Sequence, residues 1–308
     1  MRKIFALIIT LSISLSLVSC VGDERDGEYI TFTDSLGNKV ALDEKPTRVA
    51  VLFSSFADMW ILSGGEVSIT VGESVERGFA TPDVLLVDTG AGKHISTELL
   101  LSYEPDFVIY SADISAQLDA ARILRDAGIA AAGFKVDNFQ DYLSVLDIMT
   151  DITGNKDAYR EYGVKIGEQI SSLLTLAEEK NAKKILFVRA STSAKSTKAK
   201  RAEDHFIAAM LEELGSLNIA DSAEILLDGL SIEHILVENP DIIFISTMGD
   251  ELAVRDYFDS VLQSEAWGEL EAVKQNRYYY LPKELSQYKP NSAWYEAYLL
   301  LWEILYEK

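Results

Sequence analysis

Cysteine is nearly absent: Cys20 is the only one in a chain of 308 residues. A lone thiol closes no internal disulfide, so a small stapled scaffold is excluded. Histidine is almost as scarce, with only His94, His205 and His234. A bare divalent transition metal normally draws on several imidazoles or thiolates, so no metal site is expected. Each histidine reads instead as a surface or capping residue, with His234 on an exposed helix face beside Glu233. Positive charge is in short supply too, 28 basic against 49 acidic side chains and a net charge of −21. A nucleic-acid surface needs a basic face, so no nucleic-acid partner is expected. No apolar run reaches the roughly 20 residues that cross a bilayer comfortably. Catalytic signatures are missing as well. There is no Gly-x-Ser-x-Gly elbow and no His-Glu-x-x-His. Gly90-Ala91-Gly92-Lys93-His94 fails as a phosphate loop, because Val87 stands where the first glycine belongs and His94 where a hydroxyl belongs. No catalytic residues are assigned.

What is present is globular: 48% apolar and 25% charged residues, in a chain long enough for two lobes. Arg2 and Lys3 precede an uncharged stretch over residues 4–18, the pattern of an export signal. It closes in Leu17-Val18-Ser19-Cys20, which resembles a bacterial lipobox. That likeness implies cleavage of residues 1–19 and a lipid on Cys20, with residues 20–28 as a flexible tether.

Residues 30–42 alternate around Leu36-Gly37-Asn38, a hairpin signal. Strands are expected at 48–53, 69–72, 107–110 and 130–134, with helical patterns between several of them. That alternation predicts an α/β lobe with a parallel sheet. A repeat extends the argument. The segment from Ser96 to Ile109 has a second copy from Ser231 to Phe244, with Ser, Glu, Leu, Pro and Asp recurring at one offset of 135. Each copy reads as a capped helix, a Pro-Asp turn and an apolar strand. At the same offset Leu52 falls on Phe187, inside another apolar run. Two lobes built alike follow. Between the copies, Tyr159, Tyr162, Ile166, Ile170, Leu173, Leu174 and Ala177 form a helical stripe. A helix over residues 157–179 would be about 35 Å long, a spine between lobes.

The lipobox, the doubled STELLLSYEPDFVIY and SIEHILVENPDIIFI, the spine and the closing RYYYLPKELSQYKPNSAWYEAYLLLWEILY together resemble the substrate-binding lipoproteins of ABC importers. The group in question handles iron chelates, haem and cobalamin. The resemblance implies a fold of two Rossmann-like α/β lobes (residues 29–153 and 182–308) joined by a single long helix (154–181), with the ligand cleft between them. It implies a monomer that is no enzyme and carries no resident cofactor. The implied partners are a permease dimer, its ATPase, a small-molecule chelate and a membrane reached through the lipid. The implied place is the outer face of the cytoplasmic membrane or the periplasm. The chelate is expected to be of the iron–siderophore type, with haem, cobalamin or ligand sensing without transport as alternatives. By motif match, Glu98 and Glu233 are the implied permease-docking pair. In the first turn of a helix each carboxylate also favours the helix dipole.

Ligands of parallel α/β lobes meet the carboxyl ends of strands. The residues expected there are Ser54, Ser55, Phe56, Ser111, Arg189, Thr247, Tyr288 and Lys289. Glu73, Asp113 and Lys135 occupy neighbouring loops. Arg189 opens a locally basic stretch with Lys195, Lys198, Lys200 and Arg201, an expected contact for anionic groups. Among aromatics that could cover a bulky chelate, Tyr288 is favoured over Trp294, and Trp60 is expected in the core. Of Tyr278, Tyr279 and Tyr280, at least one is expected to be buried.

Overall fold

An apolar run stays in place in a strand only when both sheet faces are covered. The computed structural model, which describes residues 29–88, 94–222 and 225–307, meets that condition twice. The expected export signal, Cys20, the tether and the 90–93 segment lie outside the described residues. The strands are β1 (Ile30–Thr33), β2 (Lys39–Leu42), β3 (Val49–Val51), β4 (Ile69–Thr70), β5 (Leu85–Leu86), β6 (Phe107–Ser111) and β7 (Ala130–Phe134) in the first half. In the second half they are β8 (Lys184–Ala190), β9 (Lys198–Ala199), β10 (Leu217–Asn218), β11 (Ile242–Thr247) and β12 (Tyr278–Tyr280). The first lobe holds a parallel sheet in the order β5-β4-β3-β6-β7. The second holds β10-β8-β11-β12, also parallel, with β9 added antiparallel to the end of β8. β1 and β2 form the expected hairpin. Its Asp34 carboxylate accepts from the Gly133 amide and so fastens the turn to β7.

Side chains on each strand alternate between two layers. Val49, Val51, Phe107 and Ile109 face the centre of the molecule, together with Ile185, Phe187, Ile242 and Phe244. Ala50, Leu52, Val108 and Tyr110 face an outer layer of the first lobe. Leu186, Val188, Ile243 and Ile245 do the same in the second. The duplication is therefore real, with one adjustment. Phe187 is the counterpart of Val51, not of Leu52: Val51 pairs with Ile109, and Phe187 with Phe244, the copy of Ile109. A slip of one residue would turn the whole strand inside out, so the inward-facing pair fixes the correspondence.

The repeated Pro-Asp turn has the same mechanical use in both lobes. Glu104 and Asn239, the residues before the two prolines, have φ of 49° and 42°, left-handed positions that end each helix. The following aspartate then ties down the neighbouring strand. Asp106 accepts from the amides of Thr47 and Arg48, and Asp241 from the amide of Lys184.

Gly154, at φ 78°, ends the Phe139–Thr153 helix, and the Asn155 side chain accepts from the Ala158 amide to start the next. That next helix runs from Lys156 to Glu178 and is the expected spine. Its stripe packs as expected, Ile166, Ile170, Leu173 and Ala177 being buried. Over Arg160–Val164 it widens into a π turn. The Tyr142 hydroxyl takes the Tyr162 carbonyl at 2.9 Å within that turn, diverting one rung of the ladder. The C-terminal Trp294–Tyr306 helix lies along the spine. Among the described residues no helix is long and apolar enough to cross a membrane.

Candidate functional site

β6, β7 and β8 end facing one another across the gap between lobes, and so bring loops from both lobes together. A cleft of about 440 Å³ opens there. The first lobe contributes Asp113, Lys135 and Asp137. The second contributes Arg189, the 202–206 turn, Gln287 and Lys289. Nearly the whole lining is polar or charged. Phe206 and Ala202 are its only apolar members.

Most of those charges are already matched. Lys135 lies 2.7 Å from Asp137 and 3.6 Å from Asp113. Arg201 binds Glu203 and Asp204. Lys289 reaches Asp137 only at 3.8 Å, and burial, the largest influence on it, holds its ammonium below the ordinary lysine value. Arg189 is different. It is half-buried, enters no ion pair among the described residues, and its Nε is buried without a hydrogen-bond partner there. Burial alone lowers its pKa. Gln287 Oε1, also in the lining, is a buried acceptor without a donor. Unsatisfied buried groups of this kind cost about 1–3 kcal/mol each unless something fills their valences. Among the described residues Arg189 is therefore the lining charge with no opposite charge in contact, in a cleft whose acidic groups are already held by Lys135 and Arg201.

His205 lies between the rings of Phe187 and Phe206, at 4.9 and 4.8 Å. Its Nδ1 accepts from the Ile207 amide and caps the Phe206–Glu213 helix. The expected capping role is met, but in the cleft rather than on the outer surface. Burial first, then Arg189, Lys289 and Lys200, push its pKa down to about 3. The imidazole is neutral. His234 is also less exposed than expected, with its Nε2 buried and unpartnered.

Of the residues expected at the ligand, Arg189 and Lys289 line the cleft. Ser54, Ser55, Phe56, Ser111, Thr247 and Tyr288 do not, and each has a physical reason. Phe56 is a core side chain, 5.2 Å from the Phe53 ring and 6.1 Å from Phe134. Ser54 and Ser55 accept from Arg77 at 2.8 and 3.1 Å, and Ser54 also donates to Glu73. Tyr288, the favoured aromatic, lies under the same guanidinium at 3.9 Å. Ser111 is held by Gln117, whose side chain bridges its amide to the Leu52 carbonyl. Thr247 is buried at the end of β11 with its hydroxyl unpartnered. Trp294 is fully buried between Phe139, Tyr142 and Phe206, at 5.9–6.2 Å, and joins the lobes. Trp60 is in the core as expected. Tyr278, Tyr279 and Tyr280 are all half-buried, because β12 is an edge strand. The basic stretch is no continuous patch. Lys195 is exposed, while Arg201 is taken up by its acidic neighbours.

Asn291 links the lobes through polar contacts. Its side-chain nitrogen donates to the Ser55 carbonyl at 2.8 Å and to Asp58 at 2.7 Å. Burial raises the Asp58 carboxyl, and this contact and Arg77 oppose the rise. Among the described residues no group of three or more His, Cys, Asp or Glu side chains could hold a metal ion. Glu98 and Glu233 are both exposed, in the first turns of the Thr97–Ser102 and Ile232–Glu238 helices. The Ser96 hydroxyl caps its helix, whereas Ser231 makes no side-chain cap.

The pattern of the family described as periplasmic binding protein matches residues 49–285, well over half of the chain. The chain belongs to the periplasmic binding protein family. Solved structures agree with this binding protein in fold. An ABC transporter substrate-binding protein from Listeria monocytogenes superposes with a TM-score of 0.69 at 16% identity, covering 86% of this chain and 100% of that one. IsdE of S. aureus, complexed with heme, gives 0.68 at 16%, covering 84% and 98%. SirA of Staphylococcus aureus, complexed with staphyloferrin B, gives 0.66 at 18%, covering 90% and 97%. A comparison with curated proteins by sequence returns no match. The two-lobed α/β layout of this binding protein is that of its structural neighbours.

Proposed function

We propose that this binding protein is the extracytoplasmic capture component of an ABC importer for an anionic iron chelate of the siderophore type. The observation that carries the reading is Arg189. A half-buried guanidinium without a partner, beside an unpaired Gln287 oxygen, is a receptor for carboxylate or similar oxygens. The volume of about 440 Å³ suits a small molecule. SirA, a structural neighbour, is complexed with staphyloferrin B. Haem is the second reading, because IsdE is complexed with heme. The polar lining favours the chelate, since a porphyrin needs broad apolar walls. Capture would close side chains around the ligand, and the permease and its ATPase would supply the energy of transport. Glu98 and Glu233 are the proposed docking pair. Export and a lipid on Cys20 are the proposed route to the membrane, and the protein would act as a monomer.

The test is a titration of intrinsic tryptophan fluorescence with ferric citrate, other ferric chelates, haem and cobalamin. Trp294 lies 5.9 Å from Phe206 of the cleft lining and serves as the reporter. Saturable quenching by an anionic ferric chelate, lost in Arg189→Ala, is the expected result. Response to haem alone would replace the first reading by the second, and no response to any of them would end both.

A further inference from the structure

His205 deserves a role beyond capping because of where its two nitrogens are. Nδ1 accepts the Ile207 amide proton at 3.2 Å, so it cannot itself carry a proton while the helix is capped. In a neutral imidazole the proton then resides on Nε2. The residue lines the cleft together with Arg189 and Lys289. Nε2 is absent from the buried atoms that lack partners and has no hydrogen bond among the described residues. It is thus a donor left for solvent or ligand.

We propose that His205 binds the ligand as a neutral donor through Nε2, in a tautomer set by the helix it caps, and that it is thereby withheld from coordinating iron. The inference rests on the chelate reading above and sharpens it. It selects ligands that present acceptor oxygens and disfavours those that need an imidazole on the metal. The surroundings support it from every side. Arg189 on β8, Lys289 on the loop after β12 and Lys200 after β9 all oppose a second proton on the ring. The acidic groups of the same cleft are occupied elsewhere, Glu203 and Asp204 by Arg201, and Asp113 and Asp137 by Lys135. Phe206 stacks on the imidazole, and Phe187 packs against it at a tilt of 57°.

The first test needs no substitution. In protein labelled with nitrogen-15 at histidine, long-range proton–nitrogen spectra should show one ring protonated at Nε2 and bare at Nδ1, unchanged from pH 8 to about pH 5. Gallium citrate, a diamagnetic stand-in for the ferric complex, should shift that Nε2 proton. A charged ring, or a bare Nε2, overturns the proposal. The second test is His205→Ser, which keeps an acceptor for the helix amide. Ferric citrate affinity should fall about tenfold or more, the range for a hydrogen bond to a charged acceptor, while haem affinity stays unchanged. Undiminished ferric citrate affinity in a folded His205→Ser protein also overturns it. Failure of the chelate reading looks different: the wild-type protein then binds no ferric chelate, whatever tautomer His205 shows.

Discussion

Arg77 in the first lobe and Arg189 in the second are both half-buried guanidinium groups, and the two are handled in opposite ways. Arg77 in the first lobe is fully engaged, with Ser54, Ser55, Tyr288 and Phe79 around it. Arg189 in the second has a buried Nε without a hydrogen-bond partner and no ion pair among the described residues. The sheets that carry them share the strand order of their centres, so the framework does not explain the contrast. The difference lies in what was added at the edges. In the second lobe β9 folds back beside the end of β8 and brings the 202–206 turn to the cleft. The first lobe uses its loops to pair its own charges. One lobe therefore presents a satisfied wall, and the other is the proposed receptor.

The contrast breaks most sharply at Arg189. Arg189→Ala should reduce ferric citrate affinity by about thirtyfold or more, since truncating a buried charged partner costs about 2–5 kcal/mol. Thermal stability should hold or rise, because a desolvated charge is removed. Calorimetric titration and melting curves on the same samples check both. Arg77→Ala should do the reverse. It strips the partners of Ser54, Ser55 and Tyr288, and a loss of about 1–3 kcal/mol in denaturant unfolding is expected, with affinity changed less than in Arg189→Ala. Asn291→Ala removes two contacts between the lobes and leaves Asp58 more isolated. A loss of about 1–3 kcal/mol is expected on the same measurement.

The acid response of His205 is smaller. Its pKa falls from the ordinary 6.5 to about 3 on folding. Between those values the unfolded chain holds a proton that the folded chain refuses. The stabilising contribution is complete above pH 6.5 and is lost as pH drops towards 3. Melting temperature against pH, wild type minus His205→Ser, should show that slope; a flat difference would contradict it. The smallest effect on the isolated protein belongs to Glu98→Lys and Glu233→Lys. Both residues are exposed, so stability should move by no more than about 0.5 kcal/mol. Ligand affinity should stay, while uptake by cells carrying the cognate permease should stop. Equal loss of affinity and uptake would remove the docking assignment.

Local patterns made much of the fold legible. β7 has the bounds that its apolar run suggests, and the spine stripe is the buried face of the observed helix. β5, β9 and β10 were invisible because two residues display no period. The repeat was legible in its turns, but placing Phe187 opposite Val51 required the pairing register. At the site, Arg189 and Lys289 could be reached by position after strands. Arg77 could not, since it follows the short Gly72–Glu76 helix and its partners are some twenty residues or more distant in sequence. The serines and aromatics at strand ends that do not line the cleft share one reason. Whether such a group faces a ligand or a neighbouring side chain is decided by non-local packing. The enclosure of His205 by Phe187, Arg189 and Lys289 was hidden in the same way.

A single apolar layer runs from β3 and β6 through the spine and the C-terminal helix to β8 and β11. Heat should therefore melt this protein in one calorimetric transition, because the apolar layer the lobes share is larger than the outer layer that either keeps to itself.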